Sequence, residues 1–305
     1  MNKMNRTTDS FLCPYCGCKK ELFYCNLSSK INQRKVNYYK CNNCKALIQL
    51  PYPDKEVLQK YYESYFDIKQ TLNAGYLTEN QYNSLKVERN QTLQELKFDK
   101  ERIKKGINVE LGCANGLFLR YLAEYGGTKV LGIDVSFSLL EEAQKRLDNA
   151  LLISSNQVFD ASISCNNIQL LCDESLSSIA ENSVDNLYMF HLMEHAVKPD
   201  ELMKQAAFVL KEDGILVLEV PVSGFISSFF HTGWRFLMPD EHLNIPSVRS
   251  IKALAKHYGF SVSSMIRFGS GVTSGTAPKM VKKIADRLAK KFRVGDRAAF
   301  LLIKN

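Results

Sequence analysis

Six of the nine cysteines fall in the first 44 residues. Four of them form two Cys-x-x-Cys knuckles, Cys13-Pro14-Tyr15-Cys16 and Cys41-Asn42-Asn43-Cys44, with 24 residues between them. Thiolates so spaced on a tight turn both reach one tetrahedral zinc, and two such turns close a four-sulfur site. The gap is slightly longer than is usual in a zinc ribbon, but it has only to hold a hairpin. Gly17 suits the first turn, and the alternation from Val36 to Tyr39 suits a strand leading into the second. Cys18 and Cys25 are spare thiols, Cys18 being able to substitute as a ligand. The competing reading is a redox pair or unliganded cysteines. A closed four-thiolate site has no open position, so its metal would be structural.

A second constellation lies at Val109-Glu110-Leu111-Gly112-Cys113-Ala114-Asn115-Gly116. The short apolar run Ile107 to Leu111 passes through it into the periodic segment Leu117 to Ala123. Strand, glycine turn and helix in that order bring backbone N–H groups and a helix N-terminus to a bound ligand. Glu110 sits at the strand's carboxyl end, where open α/β sheets bind ligands. A dinucleotide fingerprint needs glycine at the first, third and sixth positions. Here the third is Ala114 and the sixth is Leu117, so that reading fails twice.

The surrounding elements follow an alternating pattern. Residues 80 to 105 read as a helix covering the sheet, stopped at Gly106. The run Lys129 to Val135 is a second strand, and Asp134 at its end is placed to accept ribose hydroxyls. Ser136 caps a helix through about Leu147. Residues 148 to 166 have no clean period and read as an insertion or a lid. Strands follow at Ile168 to Asp173 and Val184 to Phe190, the latter running into His191-Leu192-Met193-Glu194-His195. His-x-x-Glu-His also occurs in inverted zinc proteases, but on a long helix, whereas this segment leaves a strand directly. An aromatic loop from Phe225 to Met238, with the only tryptophan, Trp234, suits a substrate lid.

The acid and glycines at Glu110 to Gly116 resemble the S-adenosylmethionine (SAM) loop of class I methyltransferases, with Ala114 for the middle glycine. Phe190 to His195 resembles that family's Phe-x-x-x-Glu-His segment, and Leu210-Lys211-Glu212-Asp213-Gly214 its Leu-Lys-x-x-Gly turn before the fifth strand. The second cysteine knuckle, the exit Leu50-Pro51-Tyr52-Pro53 and a Tyr-Tyr-x-x-Tyr helix at Tyr61 to Tyr65 resemble its zinc-ribbon subgroup, common among bacterial surface-glycan and sugar-modifying enzymes. Packing explains those tyrosines equally well.

The resemblance implies a doubly wound, Rossmann-like α/β fold, with a mostly parallel seven-stranded sheet, an antiparallel final hairpin and a small N-terminal zinc ribbon. It divides the chain into a ribbon (1–50), a helical linker or cap (51–105) and a SAM domain (106–305). The cofactor site would comprise Glu110, Gly112, Cys113, Ala114, Gly116, Asp134, Asp173, Phe190 and His191. Asp173 would approach the adenine amine, although it can equally be a turn cap. Cys13, Cys16, Cys41 and Cys44 would hold structural zinc. Some relatives bind a divalent metal through acids and a histidine near here; His191 replaces the first acid, so a second metal stays open without being the leading expectation.

For a hydroxyl acceptor, a histidine near neutral pKa is the natural base. His195 and His242 are the candidates, each also readable as a hydrogen-bonded structural residue. The leading expectation is methylation of a sugar or surface-glycan intermediate, free or lipid-linked. Alternatives are a zinc-ribbon RNA methyltransferase, a small-molecule O- or N-methyltransferase, and a non-enzymatic scaffold. A net charge of +8 fits an anionic partner, but the ribbon lacks the clustered arginine and aromatic pattern of an RNA grip. No 18-residue apolar run occurs and Met1 to Ser10 is polar, so a cytoplasmic location is expected.

One stretch stands apart from the site. Pro278 to Arg293 reads as a basic amphipathic helix with Val281, Ile284, Leu288 and Phe292 at helical spacing. The expectation is that this stripe packs on the sheet with the lysines solvated; the alternative is peripheral contact with an anionic membrane.

Overall fold

The computed structural model describes residues 11–29, 33–54, 56–58, 60–61, 79–153, 168–271 and 278–305. Most of the tyrosine-rich helix and most of 148–166 lie outside them.

Among the described residues the central sheet has eight strands rather than seven. In chain order they are β4 (Ile107–Leu111), β5 (Lys129–Asp134), β6 (Leu151–Ile153), β7 (Ile168–Cys172), β8 (Val184–Phe190), β9 (Leu210–Pro221), β11 (Phe260–Phe268) and β12 (Arg297–Lys304). Their spatial order is β11-β12-β9-β8-β4-β5-β7-β6. The additional strand is β6, three residues pairing parallel with the outer edge of β7. Only β12 runs against its neighbours, pairing antiparallel with both β9 and β11. The chain order reverses at β4, between β5 and β8, so the carboxyl ends of these strands form the crevice where such sheets bind ligands.

Alternation along the strands divides the core between two faces. Tyr188 and Val217 face α1 (Glu79–Glu95), α2 (Glu101–Lys105), α3 (Leu117–Glu124) and α4 (Phe137–Arg146), packing with Leu93, Ile103, Leu119 and Leu140. Leu187, Met189 and Leu218 face α5 (Pro199–Val209) and α7 (Val248–His257), packing with Met203, Ala206 and Leu254. Ser136 caps α4 by accepting from Leu139 N at 3.4 Å, as its sequence position requires.

The N-terminal hairpin forms a second sheet, β1 (Glu21–Ser28), β2 (Lys35–Cys41) and β3 (Leu47–Leu50). Its fourth strand, β10 (Asn244–Ile245), comes from the far end of the chain and pairs antiparallel with β3. Tyr15 Oη donates to Asn244 O at 2.6 Å and Ser247 Oγ donates to Cys44 O at 2.5 Å. Cys13, Cys44 and Ile48 thereby join the core on the α5–α7 face.

The aromatic loop contains α6 (Phe225–Phe230) and is fastened at its centre. Trp234 is buried with Cys25, Tyr38 and Leu47 of the small sheet, and its Nε1 donates to Asp296 at 3.2 Å. Phe225 and Phe229 remain exposed.

The expected packing of the basic helix is corrected. In α8 (Lys279–Lys291) Ala289 is the buried residue, while Val281, Ile284 and Leu288, with Phe292 just beyond, are exposed. The helix meets β11 through a narrow alanine face, too small to include the large apolar side chains. Among the described residues no helix is long and apolar enough to cross a membrane.

Candidate active site and cysteine cluster

The loop after β4 is built on left-handed backbone. Gly112 has φ +79° and Gly116 φ +76°. A Cβ on Gly112 would come within 3.1 Å of Leu192, and one on Gly116 within 2.8 Å of Leu147, so packing and conformation both select glycine. Ala114 has φ 46°, a strained value for a residue with a Cβ, at the position where the family motif carries glycine. Gly112 N and Cys113 N both donate to Ile133 O, at 2.8 and 3.0 Å, which ties the loop to β5. Gly116 begins α3 and offers no capping side chain.

Asp134, at the end of β5, accepts from Ala114 N at 2.8 Å and from Ser136 N at 2.9 Å. Burial raises its pKa against those hydrogen bonds. Asp173 N donates to Asp134 O at 3.1 Å, bringing the two strand ends together. The Asp173 carboxylate accepts from Ser175 N and Oγ and from Ser178 Oγ, so it caps its own turn. Glu110 is buried, and its Oε2 has no hydrogen-bond partner among the described residues. Burial pushes its pKa up to about 8, the nearby Arg89 only partly opposing this.

A charged network closes the other side of the crevice. The backbone turns left-handed at His191 (φ 53°), setting its imidazole between two buried carboxylates. Nδ1 lies 3.2 Å from Glu194 Oε1 and Nε2 3.1 Å from Glu219 Oε1. Burial opposes charge on the ring, but the two carboxylates outweigh it and raise the pKa to about 9. Glu219 falls to about 2: burial favours its neutral form, yet Arg89, His191 and Arg297 together prevail. Arg89 Nη1 donates to Glu219 Oε2 at 2.6 Å, and its guanidinium lies 3.9 Å from the Phe190 ring centre. Sequence reasoning missed Arg89. Its signal was a cation four residues from both Leu85 and Leu93, on the buried face of α1.

His195 sits on a 3-10 turn, Met193–His195, directly after β8, and not on the long helix of a protease motif. It meets His242 edge to face, ring centres 4.9 Å apart. His242 Nδ1 pairs with Phe236 O at 2.9 Å. Burial, reinforced by His195, depresses His242 to about 3, so it is a weak base at neutral pH. Burial also lowers His195, whose Nδ1 has no partner among the described residues. Of the two histidines, His195 is the more exposed.

Beside the network, α1 and α8 wall a groove of about 580 Å³. Glu88, Gln91, Arg235 and Arg297 are among its lining residues.

The sulfur atoms of Cys13, Cys16, Cys41 and Cys44 all lie within 4.8 Å of one another. Cys13 and Cys44 are 3.5 Å apart and Cys16 and Cys41 3.7 Å. Hydrogen bonding from Cys13 draws the Cys44 thiol down to about 6. Cys18 stands outside the four, its Sγ contacting Lys20.

Comparisons with known proteins identify a family and a fold. Residues 86–264 match the family described as "Methyltransferase domain". The ubiquinone biosynthesis O-methyltransferases of two Neisseria meningitidis strains, serogroup C (053442) and serogroup A (Z2491), are each 30% identical over 108 residues. That stretch is 35% of this chain and spans 41% of each relative's length. Magnesium protoporphyrin IX methyltransferase from Synechocystis PCC 6803, solved with bound SAH, superposes with TM-score 0.54 at 15% identity, covering 83% of this chain and all of that one. A SAM-dependent methyltransferase from Archaeoglobus fulgidus gives 0.50 at 17%, covering 79% and 99%. The [4+2]-cyclase SpnF gives 0.50 at 17%, covering 83% and 98%. The fold alone therefore does not fix the chemistry, and the family match over the crevice carries the assignment. This chain belongs to the methyltransferase-domain family.

Proposed function

We propose that the enzyme methylates a hydroxyl of a sugar or glycan intermediate. The observation that carries this reading is the groove between α1 and α8, beside the Arg89–Glu219–His191 network. Its lining carries Glu88, Gln91, Arg235 and Arg297, which suit hydroxyl groups, beside Val87, Ile266 and Phe268, which suit the apolar face of a sugar ring. SAM supplies an electrophilic methyl on a sulfonium, and the protein positions the partners for in-line transfer and excludes water. Asp134 accepts the ribose hydroxyls, with Cys113, Ala114 and the glycines at 112 and 116 forming the loop beneath. Glu110 faces the amino-acid end of SAM, Phe190 and His191 flank it, and Asp173 borders the adenine. His195 takes the acceptor proton, and His242 orients its ring. We place the reaction in the cytoplasm, where thiols stay reduced.

The four-cysteine cluster fits zinc by donor type and spacing. Cys13, Cys16, Cys41 and Cys44 would hold it in this reading, and the metal would fix the two cysteine knuckles at the edge of the small sheet.

A second reading, O-methylation of a smaller aromatic acceptor, is favoured by the 30% identity to ubiquinone biosynthesis O-methyltransferases. A radiolabelled methyl-transfer assay over nucleotide sugars, oligosaccharides, catechols and tRNA separates the readings. Transfer to the sugars, lost with Asp134→Ala, is expected; labelling of catechol or tRNA alone would replace the glycan reading. Asp134→Ala should weaken SAM binding by roughly 1–3 kcal/mol through lost charge-assisted hydrogen bonds.

A further inference from the structure

We infer that α8 is a docking helix that seats this enzyme on an anionic lipid surface. Val281, Ile284, Leu288 and Phe292 recur at helical spacing with Met280 beside them, and all five are 48–73% exposed. The helix turns a different face inward. Ala289 is buried, and Asp286 accepts from Ser270 N and Oγ at 2.9 and 2.6 Å. The apolar stripe therefore has no partner among the described residues.

The charges fit the same occupant. The helix carries six cations and one acid, and that acid, Asp286, is paired with Lys282. Lys283, Arg287 and Lys291 are exposed. At about 100° per residue, Arg287 and Lys291 border the stripe on its Ile284 side. Cations at that border lay their methylene stems along apolar surface and reach phosphate with their tips. A basic flank beside a leucine and phenylalanine face is the composition of helices that lie in a membrane interface.

An adjoining element extends the patch. A Cβ on Gly271 would lie 2.7 Å from both Ile226 and Phe230, so α6 packs against the same turn whose Ser270 holds Asp286. On the outer side of α6, Phe225 and Phe229 are 65% and 73% exposed. The turn at Ser270 and Gly271 thus ties α6 to α8. A second copy is a poor occupant, because two α8 helices face to face would bring the exposed Lys283, Arg287 and Lys291 of one toward the same cations of the other. Lys282, Asp286 and Lys290 on the inner flank of α8 also line the 580 Å³ groove, so docking would turn that groove toward the interface. The docking itself does not depend on the acceptor assignment.

Co-sedimentation of the full chain with phosphatidylglycerol-containing vesicles, against pure phosphatidylcholine, tests this directly. Binding to the anionic vesicles alone is expected, weakened by high salt. It should fall at least about tenfold in Ile284→Ser/Leu288→Ser and in Lys283→Glu/Arg287→Glu/Lys291→Glu, since each cation near an anionic surface contributes several-fold. Unchanged SAM calorimetry in both variants checks that they fold. Phe292→Trp in the otherwise intact chain gives a second readout, because Trp234 is buried and supplies a constant background. The emission of the added indole should shift to the blue only with anionic vesicles. Absence of binding at low salt, no blue shift in Phe292→Trp, or full binding by both multiple variants would overturn the inference. So would a dimer that Ile284→Ser/Leu288→Ser converts to monomer, or tighter binding to RNA than to vesicles.

Discussion

Arg89 and Glu219, 130 positions apart in sequence, form a buried ion pair 2.6 Å long that joins the cap helix α1 to the end of β9. Neither group has water to return to: their side chains are 10% and 0% exposed. Removing one partner leaves an uncompensated buried charge, which typically costs about 3–5 kcal/mol. Arg89→Met should fall at the lower end of that range, because His191 and Arg297 remain beside Glu219. Urea unfolding would measure it. Arg89→Met/Glu219→Gln should recover part of the loss; a double variant no more stable than the single one would show that the pair is not the source of the cost.

The sequence made the crevice legible because its chemistry is local. Gly112, Gly116, Glu110 and the cysteine knuckles carry their spacing within a few residues, and β8, β11 and β12 have the bounds their apolar runs suggest. What escaped detection depends on distant partners. Two residues, Asn244 and Ile245, cannot announce a strand without β3 to pair with. At three residues, β6 is shorter than any usable period. In α8 the large apolar residues are the conspicuous ones, yet Ala289 and the inward Asp286 mark the packed face. Amphipathicity reveals that a helix has two faces without saying which one the protein covers.

Two histidines should shape stability against pH in opposite directions. His242 has a folded pKa of about 3, below its ordinary 6.5, so the unfolded chain takes up the proton first. Its contribution is complete above about pH 6.5 and is lost as pH falls toward 3, with a limiting slope of about 1.4 kcal/mol per pH unit. His191 is raised to about 9, so its contribution is complete below 6.5 and is lost as pH rises through 9. Denaturation midpoints over roughly pH 4 to 10 should flatten on the acid limb in His242→Gln and on the alkaline limb in His191→Gln. Parallel curves for wild type and either variant would refute the assignment for that residue.

Metal removal tests the cysteine cluster. Under the zinc reading, elemental analysis should find about one zinc per chain, lost in Cys41→Ser/Cys44→Ser. Because β10 joins the same sheet and Ser247 bonds Cys44 O, chelation should also loosen amide protection at residues 244–247. Metal-free protein with unchanged protection there would rule zinc out as a determinant of that contact.

The proposed place of Glu110 beside the ligand would link SAM binding to a proton. Its carboxyl is buried, its Oε2 is unpartnered among the described residues, and its pKa is about 8, so it is mostly protonated at neutral pH. If the ammonium of SAM settles beside it, as proposed, the acid ionises on binding and releases that proton. Affinity should then rise with pH, by at most about tenfold per unit, and level off above 8. Calorimetry at pH 7 in phosphate and in Tris, whose ionisation enthalpies differ, should report release of nearly one proton. The ligand's own α-amino group loses its proton near about 7.7–8.0, which opposes the Glu110 contribution and turns that plateau into a decline. Glu110→Gln separates the two contributions: it should bind SAM more weakly and without buffer dependence. A wild-type binding enthalpy identical in both buffers would remove Glu110 from the ammonium site.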